Sequence, residues 1–118
     1  MNVINIENKF RQINEHWRPA MVSRFNDQEV KLAKLKGAFV WHHHDETDEV
    51  FLVWRGKLRM EFRDRALNLG PGDMLTVPKG VEHRPVADGE VEVILFEAKE
   101  TRNTGNIVDS KFTAPTAQ

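Results

Sequence analysis

Five side chains of metal-ligating types stand in two short segments of the chain. His42, His43 and His44 are consecutive, Glu49 follows five residues after His44, and His83 comes after a Gly- and Pro-rich stretch. In a β-strand, side chains two apart point to the same face, so His42 and His44 face one side and His43 faces the other. Three adjacent histidines also occur as a surface cluster, and a single histidine as an ordinary core residue. The joint presence of His42, His44, Glu49 and His83 nevertheless favours a metal site.

The strand after Glu49 predicts the wall of a pocket next to these residues. Phe51 and Val53 have the same strand parity as Glu49, and Val40 has the parity of His42 on the preceding strand. We therefore expect Val40, Phe51 and Val53 to line the pocket. Such an apolar wall fits many small ligands and selects none of them.

Short strands separated by turns must position these side chains. Apolar and polar residues alternate in Glu29 to Leu35 and in Leu58 to Arg63, while Val50 to Trp54 is apolar throughout. Pairs such as Asn26-Asp27 and Asp88-Gly89 are typical of turns. This pattern predicts an all-β fold, an antiparallel barrel or sandwich. Before it, Ile6, Phe10, Ile13 and Trp17 are spaced for one helical face, which predicts a short N-terminal helix or an irregular arm.

The length and composition predict one domain and exclude several classes of protein. The chain has 118 residues, which suits a single domain with a core of about residues 20–97 and a polar tail, 98–118, on the surface or disordered. Its 17 basic and 18 acidic residues argue against a nucleic-acid partner, and we expect Lys31 to Lys36 to form a solvated strand face. The absence of cysteine excludes disulfides and thiolate metal sites. With no signal or membrane-spanning segment in view, we expect a cytoplasmic protein with no membrane partner.

Two spaced motifs resemble those of the cupin superfamily. The first motif of that family is matched by Gly37, His42, His44, Glu49 and Gly56, with one residue missing after Gly37. The second is matched in full register by Gly72, Pro78, Gly80 and His83, and Ala87 stands where the family has Asn. Both motifs lie within residues 37–87, and the chain is most similar to small stand-alone cupins of the mannose-6-phosphate-isomerase-like kind.

The resemblance implies a double-stranded β-helix, a jelly-roll-type barrel, that binds one divalent transition metal through His42, His44, Glu49 and His83. It also implies frequent dimerisation, and outward-facing Phe39 and Trp41 beside the apolar run Val50 to Trp54 would supply the surface of a homodimer. Mn, Fe, Ni, Co, Zn and Cu all suit this ligand set. The sequence selects neither the metal nor a catalytic residue beyond the metal centre itself.

Two classes of function follow from such a site. The first is a metal-dependent enzyme acting on a small oxygenated organic molecule, of oxygenase, isomerase or lyase type, in which the ion polarises a carbonyl or enolate or binds dioxygen. The second is a non-catalytic barrel that binds or senses a ligand. The chain has no room for the DNA-binding helices that accompany some regulatory cupins, which favours the enzyme. The reaction class rests on analogy, since fold does not fix function.

Overall fold

A computed structural model describes residues 1–115 of the chain. Within these residues, one short helix precedes seven strands, which confirms the prediction of an all-β fold with a short N-terminal helix. The elements are α1 (Ile6–Arg11), β1 (Ala20–Phe25), β2 (Gln28–Ala38), β3 (Glu49–Arg55), β4 (Leu58–Phe62), β5 (Ala66–Leu69), β6 (Met74–Val77) and β7 (His83–Ala98). No helix among residues 1–115 is long and apolar enough to cross a bilayer.

All pairings among the seven strands are antiparallel, and β7 is the central strand of the fold. The hydrogen-bonded order is β1-β2-β7-β3-β6, and β4 pairs with both β7 and β5. Residues 83–86 of β7 pair with β4, and residues 92–97 of the same strand pair with β3. One long strand thus joins both parts of the barrel.

The strand β7 curls around the barrel instead of running straight. Sixteen extended residues would span roughly 50 Å, but the longest dimension of the molecule is 43 Å. The register between β2 and β7 shifts between Leu35 and Gly37, opposite the exposed stretch Asp88–Glu90. A bulge of this kind increases the local bend and twist. As a result, the first and last residues of β7 lie at the same end of the barrel.

Two apolar clusters lie on the two faces of the ribbon formed by β2 and β7. The larger one fills the barrel with residues such as Leu58, Met60, Val77 and Val93, all at most 2% exposed. The smaller one packs α1 onto the outer face, where Phe10 contacts Leu32 and Ile94. Each strand of the ribbon therefore buries side chains on both faces, and α1 stabilises the outer face.

Helix α1 is shorter than the apolar spacing predicts. Asn5 caps it, because its side chain accepts a hydrogen bond from the backbone N–H of Asn8 at 2.8 Å. Ile6, Phe10 and Ile13 do pack together on the outer cluster, but Trp17 belongs to the barrel interior. Trp17 has a positive φ of 62°, which a regular helix does not allow, and its side chain packs against the apolar cluster inside the barrel.

Two further expectations about strand faces are wrong. Phe39 is buried and not outward-facing, because residues 39–41 follow the end of β2 without regular strand pairing and the parity of a strand does not apply there. Lys31 is only 4% exposed and not solvated. It has the same inward parity as Ala33 and Leu35, and it is paired with buried carboxylates. The amino group of Lys31 therefore lies inside the protein.

Candidate metal centre

A short backbone bridge places two of the predicted histidines side by side. The N–H of His42 donates to the carbonyl of His83 at 3.0 Å, and the N–H of His83 donates to the carbonyl of His42 at 2.9 Å. The ring centroids of the two histidines are 4.4 Å apart. His83 is the first residue of β7, and Glu49 is the first residue of β3. The ends of different strands thus bring the side chains together.

The orientation of these two rings is fixed by backbone carbonyls. Nδ1 of His42 donates to the carbonyl of Val40 at 2.9 Å, and Nδ1 of His83 donates to the carbonyl of Val81 at 2.8 Å. In a neutral imidazole whose Nδ1 carries the proton, Nε2 is the nitrogen with a free lone pair. Metal-binding histidines use this arrangement, because the outer hydrogen bond sets both the tautomer and the direction of the ring.

Four donor atoms converge at this point. One ligating atom from each of His42, His44, Glu49 and His83 lies within 4.8 Å of the others, and all four residues are buried. Oε1 of Glu49 lies 3.4 Å from Nε2 of His44 and 3.7 Å from Nε2 of His83. Ligands at about 2.1 Å from an ion are about 3 to 4 Å from one another. The donor set therefore has the size of a first-row coordination sphere.

The unpaired nitrogens show that the donor set fits a metal ion. Nε2 of His44 and Nε2 of His83 are buried, and neither has a hydrogen-bond partner among residues 1–115. A buried polar atom without a partner normally costs free energy, so it indicates a missing ligand, ion or water. Neutral imidazoles with one carboxylate can bind a divalent transition metal. The structure thus brings together the four residues that the sequence predicts as ligands.

The electrostatics of the site favour the metal-binding protonation states. Burial, followed by the neighbouring His83, lowers the pKa of His42 to about 4, so its imidazole is neutral at neutral pH. Burial opposes the charge of Glu49, but the neighbouring carboxyl of Glu97 and the rings of His44 and His83 outweigh it and hold the pKa of Glu49 well below the ordinary range. Glu49 is therefore an anion beside the neutral imidazole of His42.

A second carboxyl group, Glu97, adjoins the site, and it was not predicted from the sequence. Burial, then the neighbouring carboxylate of Glu49, raises the pKa of Glu97 well above its ordinary value. Burial and the facing carboxylate thus both disfavour the charged form of Glu97. The signal for this residue was the alternation of Val91, Val93, Leu95 and Glu97, which puts Glu97 on the same face as three core residues.

A narrow, largely apolar cavity of about 40 Å³ leads to the site. Its polar atoms include those of His42, Glu49 and Glu97. The remaining lining residues are mostly apolar: Trp17, Pro19, Ala33, Leu35, Phe39, Phe51, Pro85, Val93, Leu95 and Asn103. A space of this size holds a few water molecules or one small group. Two of the four candidate ligands face this space.

The three residues expected to line the pocket have different positions. Phe51 lines the cavity, whereas Val53 is one inward position farther along β3 and lies in the main core. Val40 is half-buried and is not among the residues that line the cavity. Phe39 occupies the place in the cavity wall that strand parity had assigned to Val40. His43 lies apart from the site, since its Nε2 contacts Oδ1 of Asp45 at 2.8 Å.

The segment after β7 packs against the site and is not a loose surface tail over residues 99–115. Thr104 is fully buried, and the amide of Asn103 donates to the carbonyl of Phe112 at 2.8 Å. The ring of Phe112 packs edge-on against Phe39, with centroids 5.2 Å apart, and against Trp17. Residues 116–118 of the predicted tail lie outside the described residues. This packing could not be predicted from the sequence, because the segment is polar and has no regular period.

Comparison with known proteins identifies the fold and the family. Residues 28–99 match the family model described as "Cupin domain". The chain is 45% identical to a cupin-2 domain containing protein from Shewanella frigidimarina NCIMB 400, with a TM-score of 0.81 over 82% of this chain and 95% of that one. The protein NMB1881 from Neisseria meningitidis is 30% identical, with a TM-score of 0.76 over 83% of this chain and all of the other.

A curated relative agrees with these structures. The uncharacterized protein YdbB of Bacillus subtilis (strain 168) is 36% identical over 84 residues, which cover 70% of this chain and 72% of that protein. The family match includes His42, His44, Glu49 and His83, which form the cluster described above. The chain therefore belongs to the cupin family.

Proposed function

We propose that this cupin binds one divalent transition metal on His42, His44, Glu49 and His83, and that it is a metal-dependent enzyme acting on a small oxygenated organic molecule. The observation that carries this proposal is the pair of buried, unpartnered Nε2 atoms of His44 and His83 beside the carboxylate of Glu49. Mn, Fe, Ni, Co, Zn and Cu are the candidate metals, and the cell's supply would select among them.

A metal ion at such a centre would act as an electrophile. A bound ion would polarise a carbonyl, enol or hydroxyl oxygen of the substrate. Four protein ligands leave up to two positions of an octahedral ion for water or for a bidentate ligand. The residues of the chain would then orient the ligand. Phe39, Phe51 and Trp17 offer apolar contacts, and the narrow cavity limits access of water.

Oxygenase, isomerase and lyase reactions all suit this arrangement. A structural ion is the less favoured interpretation, because two of the ligands line a cavity and the chain has no thiolates. The second candidate function is a binding or sensing module in which the same cavity holds a small ligand without turnover. The small volume of the cavity is compatible with both alternatives, ligand binding without turnover and catalysis.

The experiment begins with metal analysis of the purified protein, followed by an oxygen-consumption screen with small diketones, phenols and sugars. Catalysis predicts one ion per chain and turnover that chelation abolishes. Saturable, metal-dependent binding of a bidentate probe such as acetylacetone, without turnover of any compound, would favour the sensing module. A protein that binds none of the candidate metals would contradict both functions.

We also propose a homodimer, a cytoplasmic location and the absence of a nucleic-acid or membrane partner.

The dimer is supported by an apolar patch where Leu52 pairs with Met74 across β3 and β6, next to Trp54. Met74 is 61% exposed and Trp54 is 40% exposed. Large exposed apolar patches commonly mark interfaces. Sedimentation of a 13.7 kDa monomer at tens of micromolar would contradict the dimer, and loss of dimer on Met74→Glu would support this face.

A further inference from the structure

The wall of the cavity offers no basic side chain to a charged ligand. Among residues 1–115, Glu49 and Glu97 are the only acidic residues that line the cavity, and no Lys or Arg lines it. The two glutamates are opposite each other across β3 and β7, at the end of the cavity where the candidate ligands lie. The buried amino group of Lys31 lies 2.9 Å from Oε1 of Glu97 and does not line the cavity. A charge on a ligand away from the metal would therefore be buried without a counter-ion, which is costly.

The polar side chains of the wall away from the metal site already have partners. The indole N–H of Trp17 donates to the carbonyl of Lys36 at 2.9 Å. The amide nitrogen of Asn103 donates to the carbonyl of Phe112 at 2.8 Å and to that of Trp17 at 3.4 Å. Its Oδ1 accepts from the backbone N–H of Ala114 at 2.9 Å. A ligand hydroxyl or amino group beside these side chains would lose its water and find no free donor in exchange.

Phe39 connects this apolar wall to the candidate metal site. Its ring stacks on Trp17, with centroids 4.5 Å apart and planes 19° from parallel, and it meets the ring of His42 edge-on at 5.3 Å. Phe112 supports it from another side, with ring centroids 5.2 Å apart. Phe39 is only 5% exposed. The cavity of about 40 Å³ beside it has room for only a few non-hydrogen atoms.

We propose that the cavity selects ligands whose non-coordinating part is a small, uncharged, apolar group, and that Phe39 is a specificity-determining residue that limits the size of this group. The inference rests on the proposed metal-binding function. The ligand would bind the metal through two oxygens and place a group the size of methyl or ethyl against Phe39. Small diketones have this character. Sugars do not, because their hydroxyl groups would be left without partners along the wall.

The test measures the binding of small hydroxamates to the Co²⁺-loaded protein through the visible absorption spectrum of the ion. Acetohydroxamate and hydroxyurea have the same chelating group and nearly the same shape, and they differ in carrying a methyl or an amino group. Each affinity is divided by that of the same compound for free Co²⁺, which removes the intrinsic difference between the two chelators. The metal-free protein is the blank.

We expect the wild type to prefer acetohydroxamate over hydroxyurea by roughly 10- to 100-fold after this division, since the amino group is buried without a partner. Equal corrected affinities would overturn the inference, because the wall would then not contact the ligand. A protein that fails to bind Co²⁺ or any other candidate metal would instead refute the proposed function itself. The absorption of bound Co²⁺, read before any hydroxamate is added, separates these two results.

A second comparison tests the role of Phe39 with butyrohydroxamate, which is two methylene groups longer than acetohydroxamate. Phe39→Leu should improve the binding of the longer compound relative to the shorter one by roughly 3- to 10-fold, because the added space buries more of the chain. Phe25→Leu is the matched control, since Phe25 is 50% exposed at the end of β1, and it should change the ratio less than twofold.

An unchanged ratio in a folded Phe39→Leu variant, or the same change in the control, would overturn the role of Phe39. Circular dichroism and thermal unfolding report whether the two variants fold. If Phe39→Leu does not fold, the comparison of acetohydroxamate with hydroxyurea in the wild type still decides whether the cavity selects an apolar group.

Discussion

His43 and Asn106 hold each other through two hydrogen bonds. The backbone N–H of His43 donates to Oδ1 of Asn106 at 2.9 Å, and the backbone N–H of Asn106 donates to the carbonyl of His43 at 3.0 Å. The middle residue of the histidine triplet is thus tied to the C-terminal segment. His42 and His44, on either side of it, point into the site. We therefore expect the packing of the C-terminal segment and the positions of His42 and His44 to depend on each other.

Gly105 provides the first prediction. Its φ is 57°, and a Cβ added there would lie 2.1 Å from the carbonyl oxygen of His43. Because the obstacle is backbone, we expect Gly105→Ala to destabilise the docked segment by about 1 to 3 kcal/mol. Hydrogen exchange of residues 101–113 should increase in this variant. Gly89→Ala is the control, since a Cβ there meets nothing within 4 Å; equal exchange in both variants would contradict the prediction.

The histidine triplet yields a second prediction. His44→Ala removes one converging nitrogen and should abolish stoichiometric metal binding, which elemental analysis after dialysis would measure. His43→Ala should leave about one ion per chain, because its imidazole contacts Asp45 outside the cluster. Loss of metal in the His43 variant together with retention in a His42→Ala variant would mean that the two faces of this segment are assigned incorrectly.

Removal of the metal is the third test. The barrel core consists of apolar residues such as Leu58, Met60 and Val93, so we expect the fold to survive chelation. A ligand at 100 times its Kd stabilises the native state by about 2.7 kcal/mol, which for a domain of this size corresponds to a Tm shift of roughly 10 °C. Calorimetry of native and chelated protein measures that shift. Unfolding at room temperature on chelation would indicate a structural ion.

Acid should release the contact between α1 and the barrel. Arg55, and then Trp54, hold the pKa of Glu7 below its ordinary value of 4.5 through hydrogen bonds to its carboxylate. Since the folded pKa is the lower one, this stabilisation is present above pH 4.5 and is lost as the pH falls through the folded pKa.

The indole N–H of Trp54, which donates to Glu7 at 2.9 Å, can be followed by NMR during this titration. Its resonance should shift with a midpoint below pH 4.5. Glu7→Gln keeps an acceptor but has no charge to lose, so this variant should remove the transition. A transition of the same midpoint in Glu7→Gln would assign the titration to another group.

Spacing was enough to predict the four candidate ligands and the all-β fold. Strand parity paired His42 with His44, and turn residues marked where β3 and β7 begin. Strand parity predicted the wrong faces for Phe39 and Val40, because the backbone leaves the regular sheet after Ala38. Glu97 and Lys31 were missed for another reason. A charged residue in an alternating strand predicts exposure, and only the three-dimensional pairing of β2, β7 and β3 shows that these two compensate each other.

The curl of β7 gives the metal centre a role in the topology of the chain. His83 and Glu97 belong to opposite ends of one strand, yet Glu49 contacts the first and is paired with the second. An ion on His83 and Glu49 would therefore close residues 49–83 of the chain into a ring, in the manner of a cross-link. Closing a ring restricts the unfolded chain as well as stabilising the folded one.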